Sequence, residues 1–309
     1  MSKHDNSMIV FNGVTATRPL RFFCAAWLLL VSNSSYGAVN DIFPTDAVAL
    51  PDGTVNMALY AAHRKQAGPY LRGEKLLNGE IDIDIAAVRL SRHLHLNDSF
   101  SLAPIAVLSW SRSETSPQSL SNLIGHQANG LGDLRLGGAL WFLRDPKNLR
   151  YASVNLLATL PTGSYDKNQA LNIGENRWKW VLGGGLLWSL SDHWVVDIAP
   201  EIAWYGDNDT YVGQRKLSQD MSAALTGYLR YRVTPKFHLM AGGQVNRGGA
   251  TAINGVSQHN APDNTRLSFG LFYLTDDKQQ WQLRYSRDID IDAGFRTAGE
   301  LTLRYSILY

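Results

Sequence analysis

From about residue 54 onward the chain alternates apolar and polar side chains with a period close to two. Trp178, Trp180, Leu182, Gly184, Leu186, Trp188 and Leu190 fall on one parity, with Lys179, Val181, Gly183, Gly185 and Ser189 on the other. After Ser191-Asp192-His193 the pattern resumes. Trp194, Val196, Ile198, Pro200, Ile202 and Trp204 alternate with Val195, Asp197, Ala199, Glu201 and Ala203. No apolar set recurs at helical spacing, so these segments read as strands joined by a tight turn. The same reading predicts twelve strands, over 54–64, 80–96, 99–112, 130–144, 149–161, 176–190, 193–205, 217–233, 236–247, 265–274, 280–289 and 298–309. Most are longer than the usual strand of a soluble sheet and long enough to cross a bilayer at a tilt.

The connections alternate in length. Asn97-Asp98, 145–148, Ser191-Asp192, Thr234-Pro235 and 275–279 are short, whereas 65–79, 113–129, 162–175, 206–216, 248–264 and 290–297 are long. A soluble sandwich has no reason to sort its loops this way. A barrel inserted from the periplasm does, with tight turns inside and long loops outside. Aromatic residues gather where such a barrel meets the membrane interfaces. Phe100, Phe142, Trp188, Trp194, Tyr231, Phe237, Tyr273 and Trp281 flank the short turns, and Tyr60, Trp110, Trp178 and Trp204 approach the long loops. The predicted fold is therefore all-β: a transmembrane antiparallel up-and-down β-barrel of about twelve strands. The even count puts both barrel ends on the periplasmic side.

The one long apolar run, Phe22 to Val31, is about half the length a spanning helix needs. It follows Arg18 and Arg21 and precedes the small residues Ser35 and Gly37, an order that reads as a secretory signal ending at Gly37. The expected organisation is a signal peptide over 1–37, a periplasmic N-terminal segment over 38–53 that either plugs the barrel or lies beneath it, and an outer-membrane barrel over 54–309. The expected location is the outer membrane of a Gram-negative bacterium, with membrane lipid as one partner. The last strand sets Leu301, Leu303, Tyr305, Ile307 and Tyr309 on one parity, like the C-terminal signal read by the outer-membrane assembly machinery.

Composition narrows the function more by exclusion. Of 309 residues 18% are charged, and the formal net charge of +2 gives no basic bias toward nucleic acid. Cys24, the single cysteine, lies in the apolar run, which leaves no thiol chemistry or disulfide to the rest of the chain. There is no phosphate loop with Lys-Ser/Thr and no His-Glu-x-x-His. His93 and His95 share a parity but lack a third ligand. Asp288, Asp290, Asp292 and Gly294 approximate a calcium loop, with Ala293 and Gly299 where the loop needs glycine and glutamate. Asp207, Asp209 and His126 lie in loops where an acid/base group would sit at a barrel rim. None of these amounts to a site, so the expectation is no catalytic residues, no metal and no cofactor.

Charged residues on barrel strands are assigned inward, because an Arg or Lys facing lipid at midplane costs roughly 2–4 kcal/mol. The expected pore lining is Asp82, Asp84, Arg89, Arg135, Asp197, Glu201, Arg230, Arg232, Arg284 and Arg304, with Asp133, Asp220, Asp288 and Glu300 on the same side and with a bulge near Ala87 bringing Arg89 to the face of Asp82 and Asp84. Twelve strands enclose a narrow or partly blocked passage.

Four stretches carry a resemblance: Leu50-Pro51-Asp52-Gly53-Thr54, Gly130-Leu131-Gly132-Asp133-Leu134, Leu160-Pro161-Thr162-Gly163-Ser164-Tyr165-Asp166, and Asn172-Ile173-Gly174-Glu175-Asn176-Arg177-Trp178. In this order the chain, from about residue 42 to its end, resembles the MetA-pathway of phenol degradation family of transporter-like outer-membrane proteins. The resemblance implies uptake of aromatic or other hydrophobic compounds. The expected function is a passive outer-membrane channel for such small molecules. A closed structural or surface-interaction barrel is the alternative, and a barrel enzyme the more distant one.

Overall fold

A computed structural model describes residues 42–276 and 278–309, so the expected signal peptide lies outside the described residues. Twelve long strands form the wall. They are β1 (Val55–Leu71), β2 (Glu74–Arg92), β3 (Ser101–Ser116), β4 (Arg135–Asp145), β5 (Arg150–Thr159) and β6 (Lys179–Ser189), then β7 (Trp194–Tyr205), β8 (Ser222–Arg232), β9 (Phe237–Gly248), β10 (Thr265–Leu274), β11 (Gln279–Asp290) and β12 (Gly294–Leu308). Each pairs antiparallel with its neighbours in sequence. β12 returns to β1 in a register running from Asn56↔Leu308 to Tyr70↔Gly294, which closes the barrel. Beyond that register Tyr309 and Val55 exchange backbone hydrogen bonds, sealing the seam to its end.

Alternation explains the wall. Large apolar side chains such as Leu90, Trp110, Leu182, Trp194, Leu225, Phe269 and Leu303 stand exposed on the outer face, the arrangement of a barrel whose solvent is lipid. Trp110, Trp178 and Trp204 are exposed toward the long-loop end, and Phe100, Phe142, Trp194, Tyr273 and Trp281 toward the short-turn end. Tyr60, expected in the upper aromatic band, instead points inward and is buried.

Two connections are shorter than expected. Residues 65–79 form no long loop, because β1 and β2 run for 17 and 19 residues and meet at Arg72-Gly73. Positive φ at both positions, 54° and 75°, gives the two-residue turn that matches strand twist. Gly68 and Pro69, which read as loop formers, are absorbed by a register shift between Gly68 and Tyr70. β11 and β12 are likewise joined by 291–293 alone. The resulting hairpin rises well past the level of the exposed Trp110.

The long-loop end is closed by folded connections. Helix α1 (Gln118–Ile124) buries Leu120 and Ile124 in one cluster with Ile81, Ile83, Ile85 and Leu171. The short strand Gln127–Leu131 continues the wall above β4 by pairing with β3 from Trp110 to Glu114. A separate small sheet over Asn208–Tyr211, Arg215–Gln219, Thr251–Ile253 and Val256–Ser257 covers another part of the rim.

Candidate functional site: an occupied lumen

For residues 42–50 the sequence leaves two places open, inside the barrel as a plug or beneath it on the periplasmic side. They lie inside the barrel. Trp141 Nε1 donates to the Ala47 carbonyl at 2.8 Å, Gln282 Nε2 to the Pro44 carbonyl at 3.1 Å, and the Thr45 amide to Asp197 Oδ1 at 3.0 Å. Three different wall strands therefore hold the segment's backbone, which satisfies polar groups a buried loop must satisfy. Phe43 is 1% exposed. Asp46 accepts from both terminal nitrogens of Arg89, at 3.0 and 2.7 Å, and from Arg304 Nη1 at 2.8 Å. His93 and His95 bind the segment where it leaves the lumen. The Leu50 amide donates to His93 Nδ1 at 3.3 Å, and His95 Nε2 donates to the Leu50 carbonyl at 3.1 Å.

The other lumenal charges are largely paired. Arg230 meets Asp197 at 2.6 Å, Arg266 meets Asp288 at 2.8 Å, and Glu300 receives Arg64 and Arg284. Two acids, Asp46 and Glu300, thus each serve two arginines, a stoichiometry that leaves the lumen basic.

Two cavities remain along the axis. The lower, of about 500 Å³, is walled by the segment and by Trp141, Tyr228, His238 and Phe272 among others. Its basic lining residues are Arg89, Arg135, Arg230, Arg232, Lys278 and Arg304, against the acids Asp46, Asp197 and Glu201. The upper, of about 270 Å³, has Arg64, Arg135, Lys179, Arg247 and Arg266 against Glu175, Glu201 and Asp288. Arg135, Leu157 and Glu201 line both, so the cavities meet at one level of the wall.

The expected lining thus divides. Arg89, Arg135, Asp197, Glu201, Arg230, Arg232 and Arg304 border the lower cavity, and Arg284 is buried beside it under Phe43. Arg232 reaches the short-turn rim, where it donates to the Asp192 carbonyl at 2.8 Å. Asp82 and Asp84 do not line the lumen. Their side chains are 41% and 65% exposed on the outer face, where His63 and Lys65 of β1 bridge them. The isoleucines at 81, 83 and 85 take the inner face instead. Inward placement of charge is forced only where lipid lies outside. This part of the hairpin stands beyond the level of Trp110, which pairs with Ala86. Asp133 and Asp220 fall in connections between strands.

Arg64, Lys179 and Arg266 were missing from the expected lining. For the first, the parity of β1 misleads, because Tyr60 on the same face was expected in the outer aromatic band. Asp288 is saturated by Arg266, Asn264 and the Thr297 amide, while Asp290 is exposed, so no calcium loop assembles. Asp207 and Asp209 share Lys216, whereas His126 approaches Ser121.

The sequence motifs meet at the extracellular end. Asp133 Oδ1 accepts from the Gly163 amide and Oδ2 from the Glu175 amide, both at 2.7 Å. Burial raises the Asp133 carboxyl above its usual range against the pull of these two donors. The Ser164 amide donates to the Leu131 carbonyl, and the Ser164 hydroxyl accepts from the Leu131 amide. A Cβ on Gly130, whose φ is 143°, would lie 2.1 Å from Ser164 Oγ, and one on Gly163 would lie 2.8 Å from the Asp133 amide nitrogen. At 163 the loops touch backbone to backbone, and at 130 the positive φ and the Ser164 side chain leave room for glycine alone. Glu175 then holds Arg177 at 2.7 Å, with the Arg177 guanidinium 4.9 Å from the Tyr205 ring centroid.

Comparison with known proteins agrees with this architecture. An outer membrane channel of Pseudomonas putida F1 is 28% identical, with a TM-score of 0.82 over 87% of this chain and 100% of that one. The β domain of the Bordetella autotransporter BrkA, at 10% identity and a TM-score of 0.54, covers 84% of this chain and 100% of its own. The transport unit of the Escherichia coli autotransporter AIDA-I, at 9% and 0.53, covers 94% and 98%. These last two share the fold alone. No curated protein matches the chain. The model of the family described as "Putative MetA-pathway of phenol degradation" matches residues 65–305. The chain belongs to that family and is a twelve-stranded β-barrel of the Gram-negative outer membrane.

Proposed function

We propose that the barrel is a passive channel for the uptake of small, largely hydrophobic or aromatic molecules. The observation that carries this reading is the pair of stacked cavities sharing Arg135, Leu157 and Glu201, which together mark a route along the axis. The lower cavity mixes aromatic walls such as Trp141 and Phe272 with a few fixed charges, the usual make-up of a small-molecule site. The likeness to the Pseudomonas putida channel supports the same reading. No nucleotide-binding motif accompanies the barrel in the sequence, and flux would follow the concentration gradient. On this reading the lumen-filling segment narrows the route, and transport requires it to shift. The seam-closing strand ending in Tyr309 would be the part offered to the assembly machinery.

Paired lumenal charges and the buried Phe43 favour a second reading, a barrel closed for structural purposes. Single-channel recording of the refolded barrel in a planar bilayer separates the two. Steady openings that small aromatic solutes interrupt are expected of a channel. A correctly folded barrel that stays silent under all voltages and solutes would sink that reading.

A further inference from the structure

The segment inside the lumen offers the wall a ring and a carboxylate in one fixed relation. The Phe43 amide donates to Asp46 Oδ2 at 3.0 Å, which closes a turn and sets the two side chains close together. The Phe43 ring has the Arg284 guanidinium 4.0 Å and the Arg304 guanidinium 5.5 Å from its centroid, and the Tyr60 ring at 5.6 Å. The Asp46 carboxylate takes both terminal nitrogens of Arg89, and Arg304 supplies a third donor. Arg304 therefore touches both halves.

These are the contacts a small aromatic acid needs: a forked guanidinium for the planar carboxylate, and cationic and aromatic faces for the ring. The cradle is held partly by the wall itself. Arg284 is fixed by Tyr228 at 3.0 Å and Glu300 at 3.4 Å, and Arg304 Nε by Ser306 at 3.1 Å. Among the described residues, Asp46 is the acid that pairs with Arg89 and with Arg304. When the segment moves aside, both guanidinium groups lose that counter-ion in a confined lumen, and a replacement anion is strongly favoured.

We propose that Arg89, Arg284, Arg304 and Tyr60 form a binding site for small aromatic carboxylates, which Phe43 and Asp46 occupy as an internal substitute. Cargo and segment then compete for one place. The site's role in uptake rests on the channel reading, but its chemistry does not.

The test is calorimetric binding of benzoate to the full mature barrel in detergent, with benzyl alcohol and acetate as controls. In a Phe43→Ala/Asp46→Ala protein the cradle is vacated. Benzoate should bind roughly tenfold or more tightly than to the wild type, since the competing occupied state is gone. Both controls should bind much more weakly than benzoate, and adding Arg89→Gln should abolish the gain. A folded double variant that binds benzoate no better than wild type overturns the proposal, as does one that takes benzyl alcohol equally well. Should the double variant not fold, by heat-modifiable electrophoresis, Asp46→Asn decides: tighter benzoate binding than wild type supports the site, and unchanged binding refutes it. Conductance of the wild type tests the channel separately. A silent barrel that binds benzoate keeps the site and loses the channel, and a conducting barrel that ignores benzoate does the reverse.

Discussion

The two ends of the lumen are closed by different means. At the extracellular end, connecting loops are knitted together by backbone contacts around Asp133, with glycines at 130 and 163 because no side chain fits. At the periplasmic end, a segment preceding the first strand lies along the axis, held mainly by wall side chains through ion pairs and hydrogen bonds. The first closure cannot be removed without unfolding loops that continue the wall. The second is joined to the barrel through Leu50 and the Pro51-Asp52-Gly53 turn, and its contacts with the wall are made by side chains rather than by a shared sheet. A closure built from the wall reads as architecture, and one built from a tethered segment reads as an occupant.

Deleting residues 42–50 should break this comparison most visibly. The lower cavity would open to the full barrel width, and single-channel conductance should rise severalfold. An unchanged conductance would show that the extracellular knot alone limits passage. Next in size is Gly163→Ala, whose Cβ would press on the Asp133 amide at 2.8 Å. Overpacking there should cost about 1–3 kcal/mol and expose the loops to limited proteolysis while the wall stays folded. Equal protection in variant and wild type would contradict the knot. A more modest effect concerns charge. Basic side chains outnumber acidic ones in both cavities, so the reversal potential in a KCl gradient should carry the sign of anion preference. Arg89→Gln should reduce that preference, and a cation-selective pore would refute the count. The smallest effect belongs to the outer face. Asp82→Asn with Asp84→Asn removes exposed pairs with His63 and Lys65, so denaturation midpoints should reflect less than about 1 kcal/mol. A larger loss would mean that these acids do more than decorate a solvated wall.

Much of the wall was legible because lipid outside and a filled lumen inside impose a period of two. The strand of Trp194, Ile198 and Ile202 with Asp197 and Glu201 between them could be read with its faces correctly assigned. β2 could not, because apolar residues occupy both parities: Ile81, Ile83 and Ile85 inside, Val88 and Leu90 outside. Reading acids as inward there assumed lipid along the whole strand and a bulge near Ala87, whereas the hairpin outruns the membrane and β2 keeps its register through Ala87, so Arg89 faces inward and Asp82 and Asp84 outward. Whether the N-terminal segment plugs the barrel could not be read from the sequence. Residues 42–50 have no period, and their partners Arg89, Arg284 and Arg304 lie on strands distant in sequence. The motifs at 130–134, 160–166 and 172–178 were visible as glycine-rich punctuation. That they meet around one carboxylate depends on the closed wall, which no local pattern encodes.

The seam between β1 and β12 sets a timetable. Asn56 cannot find Leu308 until nearly the whole barrel sequence has been delivered, so the seam joins the two strands most widely separated along the barrel. Until then both strands present open edges, the form of sheet most prone to pair with the wrong neighbour. The residues that fill the lumen are delivered before any strand of the wall. Early in the life of the molecule they have no enclosure, and their ion pairs with Arg89 on β2 and Arg304 on β12 bring together the two sides that must meet. In the finished barrel the occupant spans the seam, with one carboxylate tying β2 to β12.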